Sequence, residues 1–292
     1  RVVALVFDPH PASVLRPGSE PARLTTFAQR KRLLREAGAD EVERLEPTAE
    51  LLGQSPAEFL RSVVERWKPS AVVEGGDFHF GRGRAGTPRV LAALGQDLGF
   101  CTIIAPAREA VLSDHAVVRC SSTLARWLVS QGRVHDAGAV LGRGYELEGE
   151  VVRGDRRGRA IGFPTANVVC GQLLPADGVY AAEAVMPGGE VLGAAVNVGA
   201  RPTFSGVERR VEAHVLAEGL EGRGVRGPAD WQPLEGVAEY GWTLRLRLRA
   251  FVRDQVRFAS VGDLVAQLER DVARVRSMLN VLAPMEREEV AR

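Results

Sequence analysis

The chain has 292 residues, which as a prior suggests about two domains. Hydrophobic residues make up 45% and charged residues 26%, a balance that excludes disorder, and a net charge of +1 excludes a broad basic field for nucleic acid. No apolar run is long enough to cross a bilayer and no charged-then-apolar signal opens the chain, so the cytoplasm is the expected location.

In chain order, Val2–Phe7 reads as a buried strand ending at the turn-forming Asp8-Pro9-His10-Pro11. Thr25–Ala37 reads as a helix stopped by Gly38. Ser55-Pro56-Ala57-Glu58 is a capping box with proline at the first helical position, opening a helix with Phe59, Leu60, Val63, Val64 and Trp67 at helical spacing. Ala71–Val73 is a short strand, Pro88–Leu98 a helix and Thr102–Ala105 the next strand. This alternation predicts a parallel sheet carrying helices, an α/β domain. Ser121–Gln131 is a further helix with Leu124, Trp127 and Leu128 on one side. A short segment, His135–Leu141, leads to Gly142-Arg143-Gly144, where we expect the boundary between domains at 1–142 and 143–292.

Beyond that point the period changes from helical to alternating. Tyr145–Val151, Val179–Val185, Val191–Val198, Val211–Leu216 and Trp242–Arg249 read as strands of a small antiparallel barrel. In the last, leucines are expected inside and Arg245, Arg247 and Arg249 in solvent. Ser260 caps a final helix whose stripe, Leu264, Leu268, Val272 and Val275, is expected to cover the barrel. Residues 218–239, rich in glycine, charge and proline, read as an insertion between strands. Cys101, Cys120 and Cys170 are scattered, with no spacing for zinc or a disulfide framework, and suit a reducing compartment.

The stretch from Gly154 to Asn167 (GDRRGRAIGFPTAN) carries the chemistry. Gly154, Gly158 and Gly162 would let the backbone approach a ligand and offer its N–H groups. Arginines among them, Arg159 included, suit phosphate oxygens. Pro164 then precedes Thr165 and Asn167, which on an extended segment point to one side. Two neutral oxygen ligands at one point suit Mg²⁺ that keeps waters and shares phosphate oxygens. The alternative is a glycine-rich turn with solvated arginines and a structural asparagine, and on these residues alone both readings stand.

This stretch resembles the Gly-rich loop and Pro-Thr-Ala-Asn motif of riboflavin kinases. With the barrel second, nearly the whole chain is similar to the prokaryotic bifunctional riboflavin kinase/FMN adenylyltransferase family, the FAD synthetases. The resemblance implies a Rossmann-like nucleotidyltransferase domain followed by the kinase barrel. It implies ATP and riboflavin or FMN as small-molecule substrates and Mg²⁺ as cofactor, held by Thr165 and Asn167. It implies nucleotide contacts from Gly154, Gly158, Arg159, Gly162, Phe163, Pro164, Thr165 and Asn167, and a catalytic base at Glu212, in Val211-Glu212-Ala213-His214. The similar stretch Arg253–Phe258 implies flavin contacts from Arg253 and Gln255, and Arg201-Pro202-Thr203-Phe204 implies a turn near the site. In the first domain, His10 in a Phe-x-Pro-His-Pro turn, Asp77, Phe78 and Phe80 in an Asp-Phe-x-Phe-Gly loop, and Ser121, Ser122, Thr123 and Arg126 match the adenylyltransferase half.

Three departures stand out. Arg156 replaces a usual glycine, which predicts a stiffer loop. Gln255 and Val256 stand where a glutamate is usual. The family's Gly-x-Phe-Asp-Gly-x-His-x-Gly-His segment is absent from a chain that starts at Arg1, so adenylyl transfer is expected of the complete gene product rather than of this chain. Two readings compete with the enzyme: a non-catalytic flavin-binding or regulatory protein, and RNA binding by the arginine face of the barrel. A homo-oligomer is left open.

Overall fold

The computed structural model describes residues 1–203, 206–216 and 238–289. It divides into two compact units, one of Arg1–Pro21 with Phe27–Glu109, the other of Ala22–Thr26 with Ala110–Arg292.

In the first unit, β1 (Val3–Phe7) is followed by the single turn α1 (Ala12–Leu15), the helix α2 (Phe27–Glu36) and β2 (Glu41–Leu45). β1 and β2 pair in parallel, Val3 opposite Glu41 through Phe7 opposite Leu45. β2 escapes the sequence because Glu41-Val42-Glu43-Arg44-Leu45 has only two apolar side chains, and its partner strand defines it. α3 (Ala49–Gly53) precedes α4 (Pro56–Trp67), whose capping box forms as expected. Glu58 N–H donates to Ser55 Oγ at 3.3 Å, and Ser55 N–H donates to Glu58 Oε2 at 2.8 Å. β3 (Ala71–Gly75), α5 (Pro88–Leu98) and β4 (Cys101–Ala105) form a further pair of parallel strands with a crossover helix in the same unit. Leu60, Phe80, Leu91 and Phe100 are its buried core.

β5 (Glu109–Val111) and β6 (Val117–Arg119) form a two-stranded sheet, then α6 (Ser122–Ser130) and α7 (Val134–Leu141) follow. The two helices bury Ala125, Leu128, Val134 and Ala137 in one core with Tyr145 and Leu147 of the barrel, so residues 110–142 pack with the second unit rather than the first. Trp127, expected on the apolar side of α6, is 51% exposed, because 100° per residue carries it off the stripe that Ala125 and Leu128 define.

The barrel comprises β7 (Tyr145–Val152), β8 (Ala166–Cys170), β9 (Gly178–Val185), β10 (Val191–Thr203), β11 (Gly206–Leu216) and β12 (Thr243–Arg253), with the short α8 (Arg157–Ala160) between β7 and β8. It closes in the order β10-β11-β8-β7-β12-β9, with every neighbouring pair antiparallel. Closure removes the sheet edges. Alternation puts Leu244, Leu246 and Leu248 fully inside. Tyr145 and Tyr180 are also interior, and their hydroxyls donate to the carbonyls of Leu173 and Ala176 at 2.7 and 2.6 Å. Burial pushes the Tyr180 hydroxyl up to about 12.

Two expectations on these strands change. Arg249 is 9% exposed, covered on the outer face of the barrel with its Nε 3.5 Å from Glu183, where the register of β12 against β9 also shifts between Leu248 and Ala250. Arg201–Thr203 does not turn: β10 runs on, paired with β11 as far as Thr203 opposite Gly206. Phe204 and residues 217–237, most of the expected insertion, lie outside the described residues. α9 (Val261–Glu289) buries Val275 against Val179, Ala181 and Val252 on the outside of the barrel.

Candidate active site

The glycine-rich loop leaves β7 at Val152 and re-enters the sheet at β8. Its turn depends on Gly162, at φ +85°, and on Gly158, where a Cβ would lie 2.2 Å from the carbonyl oxygen of Phe163. The N–H of Phe163 donates back to Gly158 O at 2.8 Å, closing the loop on itself. Arg156 is also left-handed, at φ 57°. It is held from outside: its Nε donates to Tyr240 Oη at 3.1 Å and its Nη2 to Glu239 at 3.2 Å, with Arg159 on the same carboxylate at 2.5 Å.

Strand register brings the remaining groups together. Glu212 on β11 is directly opposite Asn167 on β8 and Asn197 on β10. Their neighbours Val211, Ala213, Val168, Val196 and Val198 point into the barrel, so these three form a polar row on its outer face. A cavity of about 630 Å³ opens over this row, of a size that suits a small-molecule ligand. Thr165, Asn167, Asn197 and Glu212 line it on the barrel side, Gly158 and Phe163 on the loop side, and Leu264, Leu268 and Val272 of α9 on a third. Its lining is mixed, polar at Thr165, Asn167, Asn197 and Glu212 and apolar at Leu264, Leu268 and Val272.

Asn167 carries the most telling detail. Its Oδ1 is buried and has no hydrogen-bond partner. A Cβ on Gly154 would lie 2.1 Å from its Nδ2, so the glycine admits the carboxamide. An orphaned buried acceptor beside a threonine hydroxyl fits a hard cation. Among the described residues no cluster of three or more histidine, cysteine or carboxylate side chains offers another metal centre.

Arg253 and Gln255 both line the cavity. The guanidinium of Arg253 is committed, however, to Asp271 of α9, with Nη2 at 2.6 Å and Nε at 2.9 Å, which anchors the helix to the end of β12. Gln255 Nε2 donates to Asn197 Oδ1 at 2.9 Å, passing over Gly199, where a Cβ would meet it at 1.9 Å. Asn197 is not among the site residues expected from the sequence, and Leu264, Leu268 and Val272 are expected there only as cover for the barrel. Asn197 had a signal, its strand alternation with Val196 and Val198, which puts it on the outer face. The α9 stripe is ambiguous, since one apolar stripe serves both barrel and cavity.

The residues matched to the adenylyltransferase half divide between the units. His10 is exposed, its Nδ1 accepting from Ala12 N at 3.1 Å. Asp77 is exposed, and Phe78 stacks on Phe80 with centroids 5.3 Å apart. Phe80 itself is buried in the core of its unit. Ser121 caps α6, accepting from Leu124 N at 3.2 Å, with Ser122 and Thr123 exposed after it. Arg126 donates to Ala22 O at 2.7 Å.

The barrel sets a glycine-rich loop beside a cavity of small-molecule size, and the matches that follow place the chain among transferases. The riboflavin kinase family model matches residues 141–279 and the FAD synthetase model residues 1–119. The bifunctional riboflavin kinase/FMN adenylyltransferase of Escherichia coli K12 is 30% identical over 285 residues, covering 97% of this chain and 84% of its own. That of Bacillus subtilis is 28% identical, covering 92% and 80%. A Streptococcus pneumoniae crystal structure described as a macrolide-efflux protein superposes with a TM-score of 0.75 at 28% identity, covering 94% and 83%. The chain belongs to the bifunctional riboflavin kinase/FMN adenylyltransferase family. No helix among its described residues is long and apolar enough to cross a membrane.

Proposed function

We propose that the barrel unit transfers the γ-phosphate of ATP to the 5′-hydroxyl of riboflavin, releasing FMN and ADP. The observation that carries this reading is the row of Asn197, Glu212 and Asn167 lining one cavity, with Asn167 Oδ1 unpartnered.

The polar lining of the cavity takes the triphosphate and the sugar-alcohol terminus, and the apolar lining by Leu264, Leu268 and Val272 takes the flavin ring. Glu212 accepts the hydroxyl proton as its oxygen bonds to phosphorus. Thr165 and Asn167 would hold Mg²⁺, which would supply neutralisation of phosphate charge. Gly154, Gly158 and Gly162 bring the loop backbone close to the phosphates, while the guanidinium of Arg159 is held on Glu239 beside the loop. Positioning and charge neutralisation supply most of the rate in such transfers, so the loop and the metal ligands matter more than the base. The match of residues 1–119 to the FAD synthetase model supports AMP transfer to FMN as the family's second reaction. Three free cysteines suit a cytoplasmic location.

The test is incubation of the purified chain with riboflavin, ATP and Mg²⁺, followed by chromatographic separation of FMN from FAD. Asn167→Ala and Thr165→Ala are each expected to lower FMN turnover by about 100-fold. Glu212→Gln is expected to leave riboflavin binding nearly unchanged. Full turnover by Asn167→Ala refutes the metal assignment.

A further inference from the structure

We propose that His214 is a positioning residue that sets Thr165 by holding the carbonyl of Pro164, an inference that rests on the kinase reading above. The backbone pairing of β8 with β11 is short. Val168, Asn167 and Ala166 face Val211, Glu212 and Ala213, and there it stops. Continued by one step it would set Thr165 opposite His214. The chain cannot rejoin through the next nitrogen, because Pro164 has no N–H.

A side chain extends the pairing instead. His214 Nδ1 lies 2.8 Å from Pro164 O. A carbonyl oxygen only accepts, so Nδ1 carries the proton and donates. The imidazole also packs on Phe163, with centroids 5.3 Å apart and planes at 56°. Burial pulls the pKa of His214 below the usual histidine value, in keeping with a neutral ring, with the Pro164 bond opposing that and Arg276 adding to it. Neutral and cationic forms both keep the Nδ1 proton, so the tether is not a pH switch.

Thr165 is therefore fixed from both sides. Ala166 is the last residue of the ladder, and Pro164 is held by His214. Asn167 sits inside the ladder and does not need the tether. Losing His214 frees the hydroxyl ligand while leaving the carboxamide ligand and the catalytic carboxylate where they are. His214 also lines the cavity, and in this role it acts through Thr165.

Three variants separate this from a packing role. His214→Phe keeps an aromatic ring against Phe163 and removes the donor. His214→Asn and His214→Leu are near-isosteres that both lose the ring, and only Asn retains a donor near the place of Nδ1. The expected result is a fall in kcat of about 10-fold in His214→Phe and His214→Leu, with riboflavin KM held within about twofold and a higher Mg²⁺ concentration needed for half-maximal rate. His214→Asn should recover most of kcat. Deuterium uptake across residues 163–168 gives a readout independent of catalysis: it should rise in the Phe and Leu variants and return toward wild type in Asn. Equal impairment of Asn and Leu, or unchanged uptake in Phe and Leu, overturns the tether. Uptake that follows the donor in a chain that makes no FMN supports the tether and defeats the kinase reading alone.

Discussion

Gly154 has no room for a side chain. A Cβ would lie 2.1 Å from Asn167 Nδ2 and 2.7 Å from the orphaned Oδ1, far inside contact distance. Gly154→Ala must displace the carboxamide, and a displacement of that order is expected to lower kinase turnover by about 100-fold with thermal unfolding little changed. Gly171→Ala is the matched control, since nothing lies within 4 Å of a Cβ there, and both turnover and unfolding should stay at wild type. A Gly154→Ala enzyme with normal turnover would show that the loop yields and Asn167 does not. Arg156 makes the opposite case. Its left-handed backbone suits glycine, but the arginine's contacts to Glu239 and Tyr240 tie the loop to the start of β12. The sequence marked Arg156 as a departure. Its partners were not legible, because they lie more than 80 residues away and neither belongs to a motif.

At the scale of elements, ladders decide which side chains meet. Glu212 and Asn167 are 45 positions apart in the chain, and register alone makes them neighbours. The arginines of β12 show the same effect. Arg245 and Arg247 face Glu148 and Glu146 on β7, and Arg247 Nε donates to Glu146 Oε2 at 3.1 Å. Cross-strand glutamates neutralise the face on which the RNA-binding reading rested. β3 supplies a prediction of its own. Burial pushes the Glu74 carboxyl up to about 7. Its folded pKa is thus raised above the unfolded value, so the folded state is favoured when Glu74 is protonated, and that advantage is lost as pH rises from about 4.5 through about 7. Glu74→Gln should melt higher than wild type at pH 8, with the gap closing by pH 5. A gap constant across that range would show that Glu74 does not titrate there.

For the molecule as a whole, the division into units does not follow the change of sequence period. The alternating pattern begins at Tyr145, yet α6 and α7 share the barrel's core, and Leu24 joins it from Ala22–Thr26. A barrel begun at residue 143 would lose the apolar packing of α6 and α7 on its core, so its unfolding temperature should lie well below that of a fragment begun at residue 110. Equal unfolding temperatures for the two fragments would place the boundary at 142.

Local signals in the sequence determined the capped helices, the strand periods, the order of an α/β part before a barrel, and the loop motif with its threonine and asparagine. These are properties of neighbours a few residues apart, and short-range geometry expresses them directly. Only the tertiary structure decided that Asn197 joins Glu212 and Asn167, that Arg249 is buried beside Glu183, that Arg253 pairs with Asp271, and that His214 holds Pro164. Each depends on closing the barrel, which sets strand register and brings distant residues within hydrogen-bond reach, and no pattern along the chain encodes that distance.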